Sequence, residues 1–213
     1  YEFINANVIE SIVDNKVNFI FEVKESEKVF VNKINIFGNN ITSEEFIRNT
    51  LIVDEGDPFN KILHNKSINK LRSKGIFGKV ESKIIDTDEP GLKDIELNIE
   101  EKPTGEIMAG AGYGSDGSTI SVGIKENNFN GKGIILESDL RLTEDSIKGS
   151  LNYKHPNFMY SDRALSTSLV ISDTDKLNDF GYKSSLNSIS LGTSYEQFEN
   201  TFFSPSISIS NES

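Results

Sequence analysis

The sequence has no cysteine and no tryptophan, 2 histidines and 2 methionines, and it nowhere approaches the roughly 20 consecutive apolar residues that a membrane helix needs. Without cysteine, disulfide scaffolds, thiolate metal sites and cysteine nucleophiles are excluded together. Positive charge is scarce as well: 22 Lys and Arg face 33 Asp and Glu, a formal net charge of -11. That is the wrong sign for a surface that must neutralise phosphates, so a nucleic-acid partner is not expected. His64 and His155 have no Cys, His or carboxylate at ligand spacing beside them, and both read as structural or surface residues. The missing hydrophobic run does not exclude a membrane protein. Membrane β-strands alternate lipid-facing with lumen-facing side chains, and a mean hydropathy of -0.37 is compatible with them. No basic and apolar leader opens the sequence, so both ends are expected to lie inside a longer chain.

What is present falls into three parts. Residues 1–27 read as the closing hairpin of a preceding domain, with Asp14-Asn15 at the turn and Val17, Phe19, Phe21 and Val23 alternating with polar partners. Residues 28–102 have the order strand, helix, helix, strand, strand, an α+β domain. Val29, Val31, Ile34 and Ile36 mark its first strand. Thr42 followed by Glu45 is a capping box for a helix burying Phe46, Ile47, Thr50 and Leu51. Asn60 is expected to cap a second helix carrying Ile62, Leu63, Ile68 and Leu71, which Gly75 stops. Val80, Ile84 and Ile85 lie in the next strand, and Ile95, Leu97 and Ile99 alternate in the last.

From residue 103 to 213 helical periodicity disappears. Strands are expected at about 105–115, 118–126, 132–143, 146–155, 163–172, 184–196 and 201–210, separated by polar turns. Ile120, Val122 and Ile124 alternate with Ser121, Gly123 and Lys125; Leu140 and Leu142 with Asp139 and Arg141; Ile147 and Leu151 with Lys148 and Ser150. Such a pattern fits a β-sandwich, with the apolar faces in a protein core, or a transmembrane barrel, with those faces toward lipid. Parity favours the barrel. If the α+β domain sits on one side of a membrane, every second turn returns there, and those turns hold Phe129, Phe158, Tyr160, Phe198 and Phe202, a candidate aromatic girdle. The acidic stretch 173–182 then becomes a long outer loop.

Several sharper chemistries fail on context. Gly110, Gly112 and Gly114 could suggest a phosphate loop, but no helix follows. They read instead as a strand that tolerates bending or as a deliberately weak seam, since interior glycine loses packing and permits close backbone approach. Asp54, Glu55 and Asp57 lack the alternating ligand positions of a calcium loop. Asp173, Asp175 and Asp179 read as an exposed acidic loop. Asn211-Glu212-Ser213 matches a glycosylation acceptor in form alone. No catalytic triad, carboxylate pair or cofactor fingerprint is present, so neither covalent catalysis nor a cofactor is expected.

The ordered motifs carry a resemblance. Val31 to Asn39, then Arg48, Glu55-Gly56-Asp57-Pro58-Phe59, and Leu71 to Val80 with its Gly75-Ile76-Phe77-Gly78-Lys79-Val80 run resemble a polypeptide-transport-associated (POTRA) domain. Glu101 to Gly105, Ala111-Gly112-Tyr113-Gly114, Asn128 to Gly133 and Tyr153 to Phe158 are similar to the start of the barrel in the BamA family. The resemblance covers essentially the whole chain. It implies a POTRA domain in the periplasm followed by the first antiparallel strands of a barrel in the bacterial outer membrane. The implied function is insertion and folding of other β-barrel proteins without ATP. The implied partners are unfolded barrel proteins, assembly-machine lipoproteins and outer-membrane lipid, and Gly110, Gly112 and Gly114 become one side of a lateral seam. Related POTRA-barrel transporters and translocation-assembly paralogues share the plan. A soluble sandwich adhesive or scaffold is the rival from another class.

Overall fold

The alternation of Ile95, Leu97 and Ile99 places all three in a buried face, each less than 8% exposed. Around that strand the computed structural model describes residues 4–13, 16–25, 28–114, 117–198 and 201–213. The chain divides into two compact units, residues 1–39 with 50–100, and residues 40–49 with 101–213.

In the first unit, β1 (Ile4–Val13) and β2 (Lys16–Glu25) form an antiparallel hairpin in continuous register; its expected Asp14-Asn15 turn lies outside the described residues. β3 (Phe30–Phe37), β4 (Phe77–Asp86) and β5 (Leu92–Glu101) make a three-stranded sheet in the order β3-β5-β4, with β3 parallel to β5. Helices α1 (Glu44–Thr50) and α2 (Lys61–Ser73) intervene between β3 and β4, giving the strand-helix-helix-strand-strand order that the sequence implies.

Asn60 caps α2 as expected, its Oδ1 accepting from the backbone N–H of Ile62 at 2.9 Å and Leu63 at 3.2 Å. The inward stripe differs from the expected one. His64, Ser67, Ile68 and Leu71 are buried, whereas Ile62 is 63% exposed. Spacing of three and four residues from Leu71 selects His64 and Ser67, and both find polar partners that let them stay inside. The His64 ring is 3.0 Å from Ser82 Oγ, and Ser67 Oγ donates to Leu63 O and accepts from Ile52 N.

The second unit holds an eight-stranded open sheet. Its strands are β6 (Gly105–Gly114), β7 (Gly117–Phe129), β8 (Ile134–Thr143), β9 (Ser146–His155), β10 (Ala164–Lys176), β11 (Tyr182–Phe198), β12 (Thr201–Phe203) and β13 (Ser206–Glu212). From β6 to β11 each strand pairs antiparallel with the next, and both β12 and β13 pair β11. The last expected strand is therefore two pieces, broken at Ser204-Pro205. Proline has no N–H for a ladder, but its carbonyl accepts from Thr193 N. The expected loop at 173–182 is also shorter. Pairing runs on to Lys176↔Tyr182, with Lys183 Nζ 2.8 Å from Asp175, and a short helix α3 (Leu177–Phe180) closes the hairpin. Asp173 and Asp175 thus lie in a strand; their acidity mimicked loop composition, while a cross-strand cation accommodates it. The Asp179 side chain lies outside the described residues.

Register separates the two faces of this sheet. One cross-strand row runs Ile107, Ile124, Ser138, Leu151, Leu169, Ile189, Ile209, and the adjacent row runs Glu106, Lys125, Glu137, Asn152, Ser168, Ser190, Ser208. The apolar face stays open: Ile107 is 80% exposed and Ile209 70%. A water-soluble domain does not leave so extended an apolar surface bare, whereas a lipid-facing barrel wall must. No helix among the described residues is long and apolar enough to cross a membrane.

Candidate functional site

Two strand edges are candidates. In the small sheet β5 is central, and the outer edge of β3 is partly taken: Val31 N donates to Asp57 O, Gly56 N to Val31 O and Phe59 N to Val29 O, so residues 56–59 cover its beginning. β4, the opposite edge, has β5 on one side and no second strand partner among the described residues. Its exposed face carries an ion pair, Lys79 Nζ to Glu81 Oε1 at 2.8 Å, and such edge charge discourages indiscriminate pairing.

The second edge is β6, which pairs β7 alone among the described residues. Gly110, Gly112 and Gly114 face Ser121, Thr119 and Gly117 across the ladder, and Gly110 and Gly112 lie on the polar side of the sheet. A Cβ at Gly112 or Gly114 would touch nothing within 4 Å, and one at Gly110 would meet Ser121 Oγ at 3.0 Å. Close packing therefore does not require glycine at the last two positions. Glycine at these positions leaves a stretch of β6 without side-chain contacts on the polar side of the sheet.

The aromatic residues occupy the end of the sheet where the chain arrives at Gly105. Phe129 closes β7 and, beyond a bulge, pairs Ile134, in line with Leu136 and Leu140. Phe158 belongs to a 3-10 turn (Phe158–Tyr160) after β9 and meets His155 edge-on at 5.7 Å; the Tyr160 side chain lies outside the described residues. Phe198 ends β11 and is 69% exposed. Phe202 pairs Glu196, in register with the polar face, whereas its neighbour Phe203 pairs Tyr195 on the apolar side, ring centroids 5.8 Å apart. Tyr195 and Phe203 were absent from the sequence-based girdle. The parity of a three-residue strand, set off by a bulge at 196–198, could not be read without the register.

A buried polar cluster gathers at the same end. Asn128 is 6% exposed and Thr42 2%. Asn128 Nδ2 donates to Thr42 Oγ1 at 2.9 Å, and its Oδ1 accepts from Gly133 N at 2.8 Å. The Glu101 carboxylate accepts from the backbone N–H of Asn40, Ile41 and Thr42 at 2.6–2.9 Å. Partial burial pushes the Glu101 carboxyl upward, but the hydrogen bonds from Thr42, Ile41 and Asn40 more than offset this and hold it below its ordinary value. Thr42 is therefore not the helix cap. Ser43 takes that place, its Oγ accepting from Phe46 N at 3.3 Å, because the Thr42 hydroxyl is committed to Asn128 and Glu101.

A small α+β domain with an open edge, followed by an antiparallel sheet with a bare apolar face, is the plan of a POTRA domain joined to a barrel wall. Residues 29–102 match the POTRA family, described as surface antigen variable number repeat. Over 160 residues, 74% of this chain, it is 26% identical to the outer membrane protein assembly factor BamA of Neisseria meningitidis serogroup B, of which that span is 20%. Over 180 residues it is 27% identical to BamA of Buchnera aphidicola, covering 81% of this chain and 29% of that protein. The fold superposes on BamA of Haemophilus ducreyi lacking POTRA domains 1–3 with a TM-score of 0.74 at 23% identity, over 98% of this chain and 41% of that one. CdiB from Escherichia coli gives 0.63 at 13% identity, over 97% and 41%. Residues 29–102 are thus similar to a POTRA domain and the chain as a whole to a segment of BamA, and it spans less than a third of the length of the curated relatives it matches.

Proposed function

We propose that this chain belongs to an assembly factor that inserts and folds β-barrel proteins into the bacterial outer membrane. The observation that carries the reading is the edge strand β4 of the POTRA sheet together with the glycine-bearing first strand β6 of the barrel sheet, in a chain whose sequence relatives are named assembly factors. An unfolded barrel segment has a backbone whose N–H and C=O groups must be satisfied before it can enter hydrocarbon. β4 captures such a segment by β-augmentation, using main-chain hydrogen bonds that tolerate many sequences. β6 then offers a template within the membrane when its outer edge parts from the strand that closes the barrel, and Gly110, Gly112 and Gly114 keep the cost of parting low. Partners on this reading are unfolded barrel proteins, the lipoproteins of an assembly machine and the lipid itself. Neither a cofactor nor covalent catalysis is part of it.

A related polypeptide transporter is the alternative, supported by the fold-level likeness to CdiB. One experiment separates the two. In the full-length protein, Gly112→Cys is combined with a cysteine on the facing residue of the last barrel strand, and client insertion into vesicles is followed with the disulfide formed and reduced. Locking should lower insertion to background and reduction should restore it. A locked protein that inserts clients normally would remove the seam from the mechanism, while undisturbed export through the lumen would favour the transporter.

A further inference from the structure

The cluster around Asn128 does more than fill space. Asn128 ends the bulged stretch of β7 just before the turn 130–133, and Thr42 lies immediately before the cap of α1, 86 positions away in sequence. Both groups of the Asn128 side-chain amide are used in opposite directions: Nδ2 donates to Thr42, and Oδ1 accepts from Gly133 N. The Thr42 hydroxyl in turn hydrogen-bonds Glu101, whose carboxylate also receives the N–H groups of residues 40–42. A second link runs through the backbone, Ser43 N donating to Gly131 O at 2.8 Å. A third ties in the root of β6. Thr104 Oγ1 hydrogen-bonds Glu126, the same carboxylate accepts from Asn128 N at 2.7 Å, and Asn127 N donates to Thr104 O.

Two glycines show how closely these parts fit. Gly131 and Gly133 have φ of 69° and 62°, a region open chiefly to glycine. Besides the strain, a Cβ at Gly131 would lie 2.1 Å from Ile41 O, and one at Gly133 would lie 2.1 Å from the Phe46 ring. The turn is thus shaped for contact with residues 41–46 as well as for reversing the chain.

We propose that Asn128 is a positioning residue, which fastens residues 40–49 and the root of β6 to the first return turn of the barrel, so that the leading part of α1 is held as a component of the barrel rim. The chain of donors from Asn128 through Thr42 to the Glu101 carboxylate is directional and ends on a charge, which strengthens each bond in the series. The Asn128–Thr42 bond is buried at both ends, so it loses more when one member is removed than an exposed bond would. The inference stands independently of whether the barrel inserts clients or exports them.

The test is hydrogen exchange on the full-length protein in lipid nanodiscs, comparing wild type with Asn128→Ala, Thr42→Val and Thr42→Ser. Asn128→Ala and Thr42→Val should each speed exchange in peptides spanning 40–49 and 130–134 by about tenfold, as expected when local opening replaces a buried network. Thr42→Ser keeps the hydroxyl and should stay near wild type. Amides of β5 and of mid-β8 serve as fold controls and should not change. Unaltered exchange in Asn128→Ala would overturn the proposal. So would a Thr42→Ser protein that behaves like Thr42→Val, since methyl packing would then hold the segment. Acceleration that spreads through β8 would also overturn it, by making Asn128 a residue of general barrel stability.

Discussion

His64 is 6% exposed on α2, with its ring 3.0 Å from Ser82 Oγ and a tilted contact to Phe59 at 6.1 Å. Burial disfavours the charged imidazolium and pushes its pKa below the ordinary 6.5. In the unfolded chain the same ring titrates near that ordinary value, so below it the unfolded state takes up a proton that the native state refuses. The POTRA core should therefore lose stability as pH falls through the ordinary imidazole range, and this loss should stop once the folded ring also protonates. His64→Gln keeps a hydrogen-bonding group toward Ser82 and cannot titrate, so it should flatten the dependence. Exchange of the Ile95–Ile99 amides at pH 7.5 and 5.5, corrected for intrinsic rates, measures it. An equal pH response in wild type and His64→Gln would mean that other groups carry the effect.

At the scale of elements, β4 is where capture is expected, and a backbone mechanism has a signature that side-chain recognition lacks. N–H groups along an edge strand alternate, one set bonded inward to β5 and the other directed outward. Single prolines placed through Lys79 to Ile85 should therefore fall into two classes with a period of two. Inward positions should unfold the domain, because proline deletes a ladder bond, while outward positions should leave it folded and reduce binding of unfolded barrel peptides several-fold. If every folded variant binds normally, recognition belongs to a helix groove instead. The expectation that this domain has three strands and two helices came directly from period: Ile95, Leu97 and Ile99 repeat every second residue, and the Asn60 cap announces α2. The inner stripe of α2 was harder to read, because His64 and Ser67 are polar types that a hydrophobic pattern skips. Thr42 misled for a related reason. Its type and its spacing to Glu45 suit a capping box, but its partner Asn128 is remote in sequence, and no local pattern reveals a contact across 86 positions. The break at Ser204-Pro205 and the paired acidic residues of β10 were hidden in the same way, since both depend on which residue lies opposite.

For the whole molecule, the bare apolar face has a property that distinguishes lipid from a protein core: its cost for charge varies with depth. In β10, Leu169 sits mid-strand on that face, paired with Leu151 and Ile189. Leu165, on the same face, pairs His155 and Thr193 at the end where the aromatic residues gather. Ser168 faces the other way, its hydroxyl donating to Asn152 at 2.7 Å. In a bilayer, arginine costs about 2–4 kcal/mol at the midplane and about 0–1 near an interface. Leu169→Arg should accordingly destabilise the full-length protein in vesicles by the larger amount and Leu165→Arg by the smaller. Ser168→Arg, pointing into a wet lumen beside Asn152 and Ser190, should cost little. Urea unfolding in vesicles measures all three. A sandwich that packed this face against a second sheet would penalise Leu169→Arg and Leu165→Arg alike, since a dry protein interior has no gradient of depth along the strand. Equal penalties at the two positions would therefore withdraw the membrane orientation of the sheet, and with it the seam at β6.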